Sequence, residues 1–147
     1  MLRIAGVLLR QMDPSAWAIA AADLAVEIGE DIRYPDIVDE RLDNANSALS
    51  TDAPVFIAEV LSPSSLALDL NIKAAEYMSL PSLEVYLVAA QDEARMGPWQ
   101  RPAGNCTHRP FPKHPEGLAG SEAMLRLAAL AVEVPLGEIY HGIVPPR

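Results

Sequence analysis

The chain of 147 residues has one cysteine, Cys106, so no disulfide can form within it. This usage fits a reducing compartment. The opening MLRIAGVLLRQM is too short an apolar run to span a bilayer, and no small-residue cleavage site precedes the polar Asp13-Pro14-Ser15. It reads as part of the fold, with the chain expected in the cytoplasm. No glycine-rich phosphate loop occurs. The three histidines, His108, His114 and His141, all lie beyond residue 107 and support no Ser-His-Asp arrangement. There is no internal repeat and no low-complexity run. Basic residues are few, 11 against 20 acids, and the net charge of −9 argues against gripping nucleic acid by long-range attraction.

Half of the residues are hydrophobic, so a core is available and general disorder is excluded. The length is that of one domain, which buries roughly two thirds of its unfolded surface. Charge is unevenly spread. Residues 94 to 114 carry Arg95, Arg101, Arg109 and Lys113 and no acid. An anionic partner is expected to touch there; a solvated loop is the plainer alternative.

Residues 2 to 12 suit a short helix, and Asp13-Pro14-Ser15 a turn. In DLAVEIG, Leu24, Val26 and Ile28 alternate as in a half-buried strand. IRYPDIV follows, where Pro35 points to an edge or strand end, with Asp36 ending the segment. Residues 41 to 53 read as a loop. VFIAEVL (55 to 61) is the strongest strand. SPSS then opens a helix whose apolar face would hold Leu68, Ile72 and Ala75 and which ends near Pro81. LEVYLVA (83 to 89) is another strand. Residues 96 to 115, with five prolines, form a long irregular excursion. The tail permits either a helix from Glu122 to about Val132, or a strand in VEVPL followed by a helical turn in LGEIY. The order predicts an α+β fold, a mixed sheet with helices packed on it.

Glu59 is the anomaly, an acid inside an apolar strand, where an unpaired carboxylate costs several kcal/mol on burial. A cation, a metal or a wet site mouth must offset that. Asp36 can be brought alongside by the intervening loop, and two converging carboxylates suit a hard cation, magnesium or manganese. Read singly, Asp36 is a turn residue and Glu59 half of a buried ion pair. Asp69, Lys73 and Tyr77 are spaced four apart and share one helical stripe. Lys73 is the only lysine before residue 113, which makes a decorative role on a solvated face less persuasive.

The blocks YPDIV, PVFIAEVLSPSS, DLNIKAAEY and PSLEVYLVA, with the ending VEVPLGEIYHGI, resemble the Uma-two-type restriction endonuclease family of the PD-(D/E)xK nuclease superfamily. The likeness runs over about residues 17 to 143. It implies a restriction-endonuclease-like fold, a single nuclease-like domain over 1–147 that is short at its N-terminus for the family, and magnesium-dependent hydrolysis of phosphodiester bonds in nucleic acid, with DNA as the expected substrate and a homodimer as the expected assembly. It also implies roles. Asp36 and Glu59 match the two metal carboxylates. Lys73 matches the catalytic lysine, which in the wider superfamily lies two residues after the glutamate, where Leu61 stands here. Asp69 and Tyr77 match flanking positions with supporting roles. Where the family's strand usually ends in aspartate, this chain has Ala89.

Two other readings remain open: a nuclease fold without activity that binds DNA or protein, and a metal-free carboxylate-pair hydrolase such as a glycosidase. Cys106, His108 and His114 share a loop but lack a fourth zinc ligand and a finger spacing. Trp99 and Phe111 lie among the basic residues, either as base-stacking groups or as packing under a loop.

Overall fold

The two most apolar runs of the chain lie side by side at the centre of the molecule. The computed structural model describes residues 3–21, 24–44, 49–62, 66–104 and 109–143. Its elements in chain order are α1 (Ile4–Gln11), β1 (Trp17–Ala21), β2 (Ala25–Ile28), β3 (Asp31–Arg33), β4 (Ile37–Arg41), β5 (Ser50–Thr51), β6 (Phe56–Leu61), α2 (Leu66–Met78), β7 (Val85–Ala90), β8 (Arg95–Gln100), β9 (Leu118–Ala119), β10 (Met124–Leu127), β11 (Val132–Pro135) and α3 (Leu136–Ile139). The main sheet has the order β1-β4-β6-β7-β8-β9. β6 and β7 run parallel and the other neighbours antiparallel. A parallel pair needs a crossover, which α2 provides. Every residue of β7 is buried, as are all of β6 but Val60, which explains their unbroken apolar character.

Each face of the sheet has its own core. On one, Phe56, Ala58, Val85 and Leu87 meet Ile4, Val7 and Leu8 of α1, the β10–β11 hairpin and α3. The i, i+3, i+4 spacing of those α1 residues is what selects its buried side. On the other face, Ile57, Tyr86 and Val88 meet Ala74 and Tyr77 of α2, with Leu80, Leu83 and Trp99. Tyr86 links two ring contacts there, 5.3 Å to Tyr77 and 5.6 Å to Trp99 between centroids. Such contacts contribute about 0.5–1.5 kcal/mol each beyond burial. Leu24 and Val26 bring the small sheet β3-β2-β5 against this second core.

Several elements depart from the sequence reading. Glu122 to Val132 is not a helix: Leu125, Leu127, Val132 and Val134 alternate inward across an antiparallel hairpin. The chain turns between them with Ala131 in the left-handed region at φ 54°. The strand-then-helical-turn alternative is the observed one. The irregular excursion begins with a true strand, β8. Pro98 is tolerated because β9 pairs with β8 only at Arg95 and Met96, leaving the outer edge at Pro98 open; the Pro98 carbonyl accepts instead from the Glu116 amide, 3.0 Å. β1 has no counterpart in the sequence reading, since WAIAA carries little alternation. The expected 41–53 loop contains the end of β4 and all of β5. Asp36 does not end a strand; it stands immediately before β4. The expected helix-opening residues Pro63, Ser64 and Ser65 lie outside the described residues.

Candidate active site

β4 and β6 pair with Ile37 opposite Ala58, and the same register extended by one residue sets Asp36 opposite Glu59. The following rung would pair Pro35, which has no amide hydrogen, with Val60. Asp36 takes that place: its Oδ2 accepts from the Val60 amide at 2.7 Å. Pro35 therefore ends the backbone ladder where the Asp36 carboxylate continues it.

Glu59 alternates with Ala58, so its side chain enters the core face beneath α2. It is 6 % exposed. Its Oε1 accepts from the Tyr77 hydroxyl at 3.0 Å, and its Oε2 lies 3.5 Å from Lys73 Nζ. The four-residue spacing of Lys73 and Tyr77 delivers both to one carboxylate from one side of the helix. Burial holds the Glu59 carboxyl above its ordinary value; the Lys73 charge and the Tyr77 hydrogen bond pull it down, and the charge of Asp36 pushes it up again. Burial, followed by the charge of Glu59, puts the Tyr77 phenol far above its usual range, so Tyr77 remains a protonated donor. The structure thus brings Asp36, Glu59, Lys73 and Tyr77 together. Asp69 falls on α2, but its side chain lies outside the described residues, as do Cys106 and His108.

A paired contact fixes α2 over the site. Arg33 of β3 donates from Nε and Nη2 to the two carboxylate oxygens of Glu76, at 2.8 and 2.9 Å. The bond from Arg33 holds Glu76 below the ordinary carboxylate value. Sequence reading missed this pair, since nothing local relates residues 33 and 76.

The basic stretch divides between the two ends of the sheet. Arg101 donates to the carbonyls of Leu83 (2.6 Å), Arg109 (2.5 Å) and Leu80 (3.0 Å), and its guanidinium lies 4.3 Å from the centre of the Phe111 ring. Arg109 pairs with Glu84 at 2.6 Å. These groups gather before the start of β7, whereas Glu59 lies toward the ends of β6 and β7. Arg95 lies at the same end as Glu59, 3.4 Å from Glu93, and both are well exposed. Lys113 is exposed. Phe111 packs under the loop, and Trp99 is buried against Tyr86.

Asp39 and Glu40 of β4 are also buried, and among the described residues neither oxygen of Asp39 has a hydrogen-bond partner. Burial first, then the charge of Glu40, pushes Asp39 up to about 7, partly offset by the Glu40 amide. The period of two from Ile37 was the available signal, since it directs Asp39 to the same inward side.

Two carboxylates set opposite each other by the extended register, with ionised Glu59 disfavoured first by burial and further by Asp36, are a donor set that a divalent cation would stabilise. Among the described residues no three His, Cys, Asp or Glu side chains gather to cage an ion. Magnesium commonly takes one or two carboxylates and completes its shell with water and phosphate oxygens, so a pair of carboxylates does not conflict with it. Among the described residues no helix is long and apolar enough to cross a membrane.

A mixed sheet flanked by helices makes this an α+β domain. Residues 2–133 match the Uma2 family, described as a putative restriction endonuclease, and the chain belongs to that family. Among solved structures, the crystal structure of a putative nuclease belonging to DUF820 from Anabaena variabilis ATCC 29413 is similar, with a TM-score of 0.73 at 14% identity over 92% of this chain and 75% of that one. At that identity the likeness is one of fold. No curated protein matches.

Proposed function

We propose that this protein is a metal-dependent nuclease that hydrolyses phosphodiester bonds of DNA at Asp36, Glu59 and Lys73. The observation that carries the reading is the pairing of Lys73 with the buried Glu59 at 3.5 Å, on a strand whose extended register sets Asp36 opposite Glu59. Membership of the Uma2 family supports it.

Asp36 and Glu59 would hold magnesium or manganese, which when bound supplies charge for the phosphoryl oxygens and lowers the pKa of a water. The chain's own residues do the rest. Asp36 is pinned by the Val60 amide, so one of its oxygens has a fixed direction. Tyr77 fixes Glu59 in the same way and holds its own proton throughout. Lys73 presents an ammonium beside Glu59, where it can orient the attacking water and stabilise negative charge as water adds to phosphorus and the bond to the leaving oxygen breaks. Arg95 and Lys113, both exposed, would meet flanking phosphates.

Purified protein incubated with single- and double-stranded DNA should cleave only with magnesium or manganese. Cleavage that persists in chelator, or in Glu59→Gln, would remove the site from the reaction. Metal binding without turnover on any nucleic acid would instead favour the inactive DNA- or protein-binding module.

A further inference from the structure

Lys73 has a carboxylate neighbour on its own helix as well as the one across from it. Glu59 faces its ammonium from β6 at 3.5 Å. Glu76 lies three residues further along α2, a spacing at which a lysine and a glutamate on one helix are neighbours. Both oxygens of Glu76 are engaged by Arg33, from Nε at 2.8 Å and from Nη2 at 2.9 Å. Arg33 is placed for this by its strand. It is the cross-strand partner of Val26, and Val26 packs in one core with Ala74 and Tyr77 of α2, so both partners face that helix. The hydrogen bond from Arg33 does most to hold Glu76 below the ordinary carboxylate value; the charge of Arg33 and then that of Lys73 add to it, against burial. Glu76 is therefore within electrostatic reach of both cations. The chemistry above uses neither Arg33 nor Glu76.

We propose that Arg33 is a positioning residue: by engaging both oxygens of Glu76 it leaves the Lys73 ammonium to Glu59. Without Arg33, Glu76 is an unmatched charge about one turn from Lys73. Meeting it needs only a rotamer change of Lys73, since both residues belong to α2. The ammonium would then be drawn off Glu59, and the buried carboxylate would lose the cation that opposes its desolvation. The planar fork of arginine suits the task, because it binds two carboxylate oxygens at once where a lysine binds as a point charge. That Arg33 sets the place of Lys73 is independent of the reaction; that this place matters for turnover rests on the nuclease reading.

The chain has two lysines, Lys73 and Lys113, so protein isotopically labelled at lysine Cε gives two side-chain NMR signals, which Lys113→Arg assigns. In the parent, Glu59→Gln should displace the Lys73 signal and Glu76→Gln should displace it less. Arg33→Met should itself move the signal, and Arg33→Met/Glu76→Gln should return it most of the way. The Arg33 and Glu76 side chains are 35% and 26% exposed, so loss of their pair leaves neither stranded in the core and the fold should survive. Urea midpoints check this, and Arg33→Lys, which keeps a cation without the fork, carries the same test with a smaller shift. A signal unmoved by both Arg33 variants, or moved and not returned by Glu76→Gln, would overturn the proposal. Turnover gives a second readout. Arg33→Met should lower kcat by about tenfold to a hundredfold with KM little changed, the scale of a misplacement of about 1 Å. The double variant should recover most of that loss. A contact that only holds α2 down predicts the reverse, because the double variant lacks it too and would stay as slow as Arg33→Met. If the signals shift as described and no variant or parent cuts nucleic acid, the nuclease reading falls and the role of Arg33 stands. If metal-dependent cleavage abolished by Glu59→Gln is observed and the signal does not move, the role of Arg33 alone falls.

Discussion

The ammonium of Lys73 stands 3.5 Å from a carboxylate oxygen of Glu59, a helix reaching back to the strand that precedes it. Glu59 is nearly inaccessible and its ionised form is disfavoured by burial, with Lys73 the largest opposing influence. Removing Lys73 should therefore raise the Glu59 pKa further. The sign follows from linkage: a carboxyl raised in the folded state adds stability below its unfolded pKa and loses that contribution as pH rises through the folded value. Lys73→Met should thus destabilise the protein by roughly 1–2 kcal/mol at pH 8, discounted because the ammonium is one third exposed, and by less near pH 4. Urea denaturation at the two pH values checks this. Nuclease turnover should fall about a hundredfold or more if the ammonium acts on developing charge. A penalty independent of pH would mean that Lys73 does not bear on the ionisation of Glu59.

Glu59→Gln keeps an acceptor for the Tyr77 hydroxyl and removes a charge that burial and Asp36 both oppose. The fold should survive with equal or higher stability at neutral pH, while divalent metal affinity is lost. Isothermal titration with manganese beside thermal melts separates the two effects. Manganese binding retained at parental affinity would place the ion elsewhere.

How much of this was legible depended on whether the relevant relation is local. Glu59 is conspicuous because one acid interrupts an apolar strand, and Lys73 and Tyr77 share a helical stripe by spacing alone. Their meeting at Glu59 needs only the strand-to-helix order. The hairpin of β10 and β11 is harder, because LRLAALAVEV satisfies a period of two and tolerates 3.6, and its packing against α1 decides between them. β8 is hidden by Pro98, which is acceptable because β9 pairs with β8 only at Arg95 and Met96. The roles of Arg101 and Arg109 cannot be read from a charge count, since carbonyls of Leu80, Leu83 and Pro102, distant or nearby in sequence, consume their donors.

That difference separates the basic residues by experiment. Arg101→Met removes three hydrogen bonds from a guanidinium to carbonyls and should cost about 2–4 kcal/mol in stability, seen as a lower urea midpoint. Replacing Arg95 and Lys113 with Gln should leave the midpoint nearly unchanged and flatten the salt dependence of DNA binding by about one unit per lost phosphate contact. An unchanged slope would move the DNA-contact surface away from these two residues.

Asp39 provides a test of the core that is independent of catalysis. It sits between β1 and β6, opposite Ile19 and Phe56, with neither oxygen hydrogen-bonded among the described residues. Its pKa rises from 3.8 to about 7, mainly through burial. A carboxyl raised in this way contributes stability that is fully present below about pH 4 and is lost progressively until pH passes about 7, where the folded protein must hold a buried charge. Asparagine resembles the protonated acid in shape and cannot ionise. Asp39→Asn should therefore match the parent near pH 4 and exceed it at pH 8, with a ceiling on the order of 4 kcal/mol because each pKa unit is worth about 1.4 kcal/mol. The difference between the two proteins, measured by urea denaturation in steps from pH 4 to pH 8, should rise across that window and then level off. A difference that stays flat with pH would show that Asp39 is ionised throughout and stabilised by a partner, and a variant weaker than the parent at pH 8 would show that its charge supports the fold.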